Sequence, residues 1–338
     1  MNKGLHYGTG LAGLTLLLFA ANIFWGSVSI PPAAVWHILC GGEPEKASWA
    51  YIIFENRLPQ ACTALLCGSA LATAGLLLQT AFRNPLAGPS ILGIDSGANL
   101  GVAVSMLWLG GTLTAGSFSL SGFLLVIAAA LAGALGIMAL LIFFSTLLRN
   151  SILLLITGIM MSYVTSSTIS LLNYNATAEG VHSYVVWGFG SFANVSLERL
   201  PAFALTIGAG LALALTLIKP LNALLLGDRY ARNLGVPLGR TRNLLLLTTG
   251  LLTAVSTAFC GPVSFIGLAV PHLARLLLGT DNHRSLLPAT LLTGASLTLL
   301  CNLLSTLPGE SGLIPINVIT PVLGAPVIIY VILQQRRT

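Results

Sequence analysis

The sequence predicts an all-α polytopic membrane protein with about ten transmembrane helices in a single domain spanning residues 1–338. Three observations lead there. Of 338 residues, 55% are hydrophobic and 7% charged, with a mean hydropathy of +0.91, an apolar share above that of a soluble domain. Apolar runs of about 20 residues recur, each long enough to cross about 30 Å of hydrocarbon as a helix. The few cations also fall in alternate connections between those runs, as the positive-inside rule requires.

The first run, expected at 9–30, follows Lys3 and stops at Ile30-Pro31-Pro32. No small-x-small cleavage site follows it cleanly, so it reads as a retained span and not a secretory leader. The second and third, 57–81 and 92–110, flank a loop rich in Pro and Gly. The fourth to sixth, 119–143, 151–172 and 201–219, are continuous apolar stretches. The seventh and eighth, 243–260 and 263–279, are separated by a Gly-Pro break, and the eighth is short and holds Pro271 and His272. The last two are 287–306 and 315–333. Uninterrupted apolarity over these lengths lacks the alternation of a barrel strand.

With the N-terminus inside, Lys3, Arg83, Arg149, Lys219, Arg229, Arg232, Arg240, Arg242, Arg275, Arg284, Arg336 and Arg337 lie on or near the inner side. Only Lys46, Arg57 and Arg199 lie outside. Both termini are then cytoplasmic. Glu43, Glu45, Glu55, Glu179, Glu198 and Glu310 lean to the outer side. The net charge of +6 is therefore a topology signal and implies no nucleic-acid partner.

Several chemistries are excluded. None of the three lysines follows a Gly, so there is no Walker A loop and any nucleotide hydrolysis belongs to a partner. No histidine pair has metal spacing, and no Ser/His or paired-carboxylate arrangement appears at span depth. The five cysteines, Cys40, Cys62, Cys67, Cys260 and Cys301, are odd in number and mostly inside spans, where they read as small core hydrophobes. No cofactor and no metal site follow.

Three features remain. Residues 227–235, Gly-Asp-Arg-Tyr-Ala-Arg-Asn-Leu-Gly, hold Gly227, Asp228, Arg229, Arg232 and Gly235 between apolar runs. Asp228 is a suitable N-cap and Gly235 a suitable left-handed terminator, so 228–234 reads as a two-turn helix outside the bilayer. It is either a solvated loop helix or a docking knob. The segments 82–97 and 260–273 carry Gly88, Pro89 and Gly93 in one case and Gly261, Pro262 and Gly267 in the other, and 88–94 resembles 261–268. Broken backbone at membrane depth is tolerated where it is buried in protein or lines a cavity, and the pair fits an inverted repeat with hinges. Asp95, near the start of the third span, reads as a carboxylate complementing the helix dipole, with an ion path as the alternative.

The motifs Arg57-Leu-Pro, 82–87 (FRNPLA), 92–98 (LGIDSGA), 227–236 (GDRYARNLGV), 265–276 (FIGLAVPHLARL), 281–288 (DNHRSLLP) and 315–326 (PINVITPVLGAP) occur in order. Together they resemble the FecCD-type permeases, the membrane subunits of type II ABC importers for iron–siderophores, haem and cobalamin. The resemblance implies the type II importer fold with its inverted repeat and ten helices, and a homodimer (or a pair with a close paralogue) with its path on the two-fold axis. It implies two cytosolic ATPase subunits, an extracytoplasmic substrate-binding protein, and a bacterial inner membrane with its lipid. Residues matching 220–240 become the coupling helices that seat in the ATPase, and Arg57 a docking cation for the binding protein. Gln60 and Thr306 stand where cobalamin-type members carry further arginines, so the resemblance puts an iron chelate first, with cobalamin or haem as alternatives. An ion-coupled secondary transporter is the rival of another class, and Asp95 alone is a thin basis for one.

Overall fold

The computed structural model describes residues 2–110, 112–115, 118–148, 151–307, 309 and 312–335. Arg149, Glu310, Arg336 and Arg337 of the charge tally lie outside them. The first run forms α1 (Asn2–Phe24), ending before the expected residue 30. Two short helices not anticipated follow, α2 (Pro32–Leu39) and α3 (Ala47–Tyr51). Pro32 opens α2 with a φ already suited to a helix, and Val35 and Ile38 bury its inner face. Through a π-helical turn (Ile52–Arg57), α3 runs into α4 (Leu58–Phe82).

The next elements are α5 (Ile94–Ala103) with a π-helical continuation (Val104–Trp108) and an antiparallel hairpin, β1 (Thr112–Ala115) with β2 (Phe118–Ser121). The all-helical expectation missed this hairpin. Then come α6 (Gly122–Leu147), α7 (Ser151–Asn175), α8 (Ala178–Gly188), α9 (Leu200–Thr216), α10 (Ile218–Leu225) and α11 (Asp228–Asn233). The chain closes with α12 (Leu238–Cys260), α13 (Ile266–Leu278), α14 (His283–Ser305) and α15 (Ile316–Gln335).

A helix lies in each of the ten expected spans. Among the described residues, six are long and apolar enough to cross a membrane, and α9 with α10 makes a seventh if their 49° bend is one broken span. By contrast α5 has 10 residues and α13 has 13, about 15 and 20 Å at 1.5 Å per residue.

Inside a membrane, helices associate by close packing and not by escape from water. The span containing α4 is 83% buried, against 22% for those of α1 and α7, so α4 is the central post. Glycines let its neighbours approach: a Cβ on Gly68 would lie 2.4 Å from the Gly294 carbonyl oxygen, and one on Gly75 1.7 Å from that of Gly267. Thr298 Oγ1 donates to Ala64 O at 2.7 Å, fixing α14 to α4 where they touch.

Candidate functional site

Three polar stations lie along α4, one at each end and one at its middle. The end holding Phe82, near Arg83 and Arg275, is the basic end. The middle station is a cleft of about 200 Å³ lined by both broken segments: Gly88, Pro89, Ser90 and Asp95 from one, and Val263, Ser264, Phe265 and Gly267 from the other. Leu71, which also lines it, stands 13 residues after Leu58 and 11 before Phe82, so the cleft sits at the midpoint of α4. Both short helices start here. From the cleft α5 runs away from the basic end, its π-turn reaching Gly180 of α8 at Met106 O. Running the opposite way, α13 reaches the basic end, where Arg275 Nε pairs with Asp281 at 3.3 Å. Two half-length helices diverging from mid-depth is the arrangement that an inverted repeat produces.

The walls differ in how they are held. In the first segment, Gly93 (φ 81) is the N-cap of α5, and a Cβ there would lie 2.8 Å from Ser162 Oγ. Gly88 has room, its nearest neighbour being Leu268 Cδ1 at 3.6 Å. Ser90 Oγ donates to Asp95 Oδ2 at 2.8 Å, and Thr257 Oγ1 of α12 donates to Asp95 Oδ1 at 2.8 Å. The carboxylate is in the first turn of α5, as its dipole favours, and it also ties the loop to α12. His272 Nε2 donates to Pro85 O at 2.8 Å, so the histidine is a packed strut.

The second segment is locked at the backbone. Gly261 (φ 74) would place a Cβ 2.6 Å from Trp187 O, and Gly267 one 2.8 Å from Leu71 O and 3.0 Å from Pro89 Cδ. These two glycines are required for close approach. Asn317 of α15 uses its whole amide here: Nδ2 donates to Pro262 O at 2.6 Å and Gly188 O at 2.9 Å, and Oδ1 accepts from Ser264 N at 3.0 Å. Sequence reasoning assigned Asn317 no role. The available signal was one amide behind Pro315 in an otherwise apolar run.

At the basic end, α11 begins one residue earlier in role than expected. Gly227 (φ 110) is its N-cap, and Asp228 sits in the first turn. The Asp228 carboxylate accepts from Arg83 Nη2 and does not cap the helix; Arg83 itself is left-handed at the end of α4 (φ 45). Gly235 terminates α11 as expected, with φ 82. Its N–H donates to Arg232 O and that of Val236 to Ala231 O, both at 3.0 Å, which is a Schellman closure. Ala231 is buried beneath, while Arg229, Tyr230, Arg232 and Leu234 are exposed, so the helix presents two cations and two large apolar groups.

The base of this knob is clamped. Asn222 Oδ1 of α10 accepts from His283 N at 2.8 Å and Nδ1 at 2.9 Å, and His283 Nε2 shares a 2.8 Å hydrogen bond with Thr80 Oγ1 of α4. Nearby, Arg275 Nη1 donates to Gln79 Oε1 at 2.6 Å, and Gln79 Nε2 to Leu268 O at 3.1 Å. A hydrogen-bonded line therefore joins the basic end to the cleft wall at Leu268.

The opposite end corrects the expectation for Arg57. As a docking cation it would stand on the surface, but its residue is 5% exposed. Nη1 donates to Ile23 O and Phe24 O, both at 3.0 Å, and Nη2 donates to Val28 O. It satisfies the orphan carbonyls where α1 stops, with its charge at the negative end of that helix. Gln60 Nε2 donates to Asn302 Oδ1 at 3.0 Å, and Asn302 Nδ2 to Asn22 Oδ1 at 2.8 Å. This is an internal polar chain joining α1, α4 and α14.

Comparison with known proteins matches residues 14–334 to the FecCD transport family. The chain is 35% identical to the vitamin B12 import system permease protein BtuC of Klebsiella pneumoniae, over 96% of this chain and 94% of that protein. It is 33% identical to BtuC of Citrobacter koseri, over 99% and 96%. Among solved structures, an inward-facing conformation of a metal-chelate type ABC transporter matches with a TM-score of 0.83 and 30% identity, covering 97% of this chain and 98% of that one. The half-length helices, the central post and the matched family agree: this chain belongs to the FecCD transport family and is a membrane permease of the ABC importer class.

Proposed function

We propose that the chain is the permease of an importer for a cobalamin-type corrinoid in a bacterial inner membrane, with cargo passing the cleft at the midpoint of α4. The observation that carries the cargo reading is its likeness to vitamin B12 permeases over almost the whole of both chains. The expectation of an iron chelate rested on counting outer-face cations at Arg57, Gln60 and Thr306. Buried Arg57 and the Gln60–Asn302 pair serve internal bonding, so that count does not measure docking charge. An iron-type metal chelate stays as the second reading, favoured by the structural match to a metal-chelate transporter. Uptake of labelled cyanocobalamin by the complex reconstituted with its ATPase and binding protein tests this. Uptake should need ATP and survive a protonophore. Selective uptake of a ferric siderophore instead would overturn the cargo reading, and loss of uptake with the protonophore would support ion coupling.

In this reading two copies form the path, a binding protein delivers from outside, and both termini are cytoplasmic. Two ATPase subunits seat on α10 and α11. Exposed Arg229, Tyr230, Arg232 and Leu234 supply charge and apolar anchors of the kind that dominate interfaces, and the Asn222–His283–Thr80 bonds give the knob a rigid lever to α4. Arg229→Glu with Arg232→Glu should abolish ATPase co-purification while membrane insertion stays normal; unchanged co-purification would remove the docking role.

A further inference from the structure

We propose that Asp95 sets the charge selectivity of the mid-depth cleft, making it disfavour anionic cargo. This rests on the cleft lying on the transport route, as proposed above. Of the residues lining the cleft, Asp95 alone carries a formal charge. Its two oxygens accept from Ser90 and Thr257 at 2.8 Å each, neutral donors that hold the carboxylate in place and leave its charge uncancelled. The salt bridges among the described residues are Arg83–Asp228 and Arg275–Asp281, and neither includes Asp95. A lone carboxylate at this depth is costly unless it has a task.

The cleft holds the N-terminal ends of α5 and α13, whose partial positive charges would by themselves attract an anion. An ionised Asp95 in the first turn of α5, the form that the Ser90 and Thr257 donors favour, opposes that attraction. A neutral, amide-rich macrocycle meets no barrier of this kind, whereas a polycarboxylate chelate meets one between the broken segments. A cavity of about 200 Å³ is large enough for one peripheral group of such a cargo with its water, so the selection acts on edge substituents as they pass.

The test reads the cleft's potential directly. The substitution Ser264→Cys, at a position lining the cleft, is made in a background whose five native cysteines are replaced. The rates at which a cationic and an anionic methanethiosulfonate modify the introduced thiol are then compared in the reconstituted complex. Asp95→Asn should lower the cationic-to-anionic rate ratio about tenfold, as expected for one unit charge a short distance away in partly hydrated protein. Asp95→Ser, which is smaller and also uncharged, should do the same and guards against a folding defect in one variant. An unchanged ratio, or an introduced thiol unreactive to both reagents, would overturn the proposal. In uptake, Asp95→Asn should narrow the preference for cyanocobalamin over its singly hydrolysed monocarboxylate; an unaltered preference would also count against it. If neither corrinoid is taken up, the cargo reading fails, while the reagent ratio still decides the charge of the cleft.

Discussion

The two broken segments look alike in sequence and are built differently. Each carries Gly-Pro, each precedes a half-length helix, and each enters that helix through a left-handed residue, Gly93 at φ 81 and Phe265 at φ 68. Residues 84–91 are held mainly by side chains (Ser90 to Asp95, Thr257 to Asp95, His272 to Pro85) and Gly88 has free space around it, while close backbone packing is confined to Leu92 and Gly93, against Gly158 of α7. Residues 261–267 are held by backbone contacts shorter than a side chain tolerates and by the three bonds of Asn317. Side-chain ties exchange easily when a loop moves, whereas interdigitated backbone does not. A repeated motif therefore need not be a repeated hinge. In our reading the first segment moves during alternating access and the second is the anvil it closes on.

The largest expected effect comes from breaking the anvil. In Gly267→Val the new side chain meets the Leu71 carbonyl and Pro89, neither of which can yield cheaply. The expected cost is about 3 kcal/mol or more, read as lost yield of monodisperse protein. Normal yield would mean that the segment is not clamped. Asn317→Ala should come next: it strips partners from Pro262 O, Gly188 O and Ser264 N, partly buried groups whose combined loss should cost about 1–3 kcal/mol. Thermal unfolding in detergent measures it, and a variant as stable as the parent would assign the clamp to packing alone.

The smallest stability effect belongs to the first segment. Gly88→Ala adds a methyl into open space and should shift stability by about 0.5 kcal/mol or less. If the segment moves, the same change should raise ATP hydrolysed per cargo imported about threefold, because hinge residues alter turnover without altering the folded state. Unaltered coupling together with unaltered stability would remove 84–93 as the moving part.

Much of this is legible in the chain. The spans can be read because the hydrocarbon thickness demands long apolar runs, and the two breaks because Gly-Pro cannot continue a helix. That the breaks meet cannot be read, since the contacts of Pro89 with Gly267 and of Gly88 with Leu268 join residues far apart in the chain that α4 brings together. Arg57 misleads because a cation at the start of a span looks like a surface group. Its role depends on α1 stopping at Phe24, which leaves carbonyls for it to satisfy. Asp228 looks like a cap, but Gly227, in a φ open to glycine, takes that position and frees the carboxylate for Arg83. The pairing of 112–115 with 118–121 is overlooked because the apolar runs on either side dominate the reading, although Gly116-Ser117 is a two-residue hairpin signal.

If the first segment parts from the second for cargo to pass, as we propose, tying the two together should stop transport. A Cβ on Gly88 would lie 3.6 Å from Leu268 Cδ1, so in Gly88→Cys with Leu268→Cys, in a background without native cysteines, the two thiols face each other and a short bifunctional methanethiosulfonate should bridge them. The bridged complex should keep its ATPase and binding protein but import nothing, and a thiol reductant should restore uptake. A quantitatively cross-linked permease that still imports at the reduced rate would contradict the proposal.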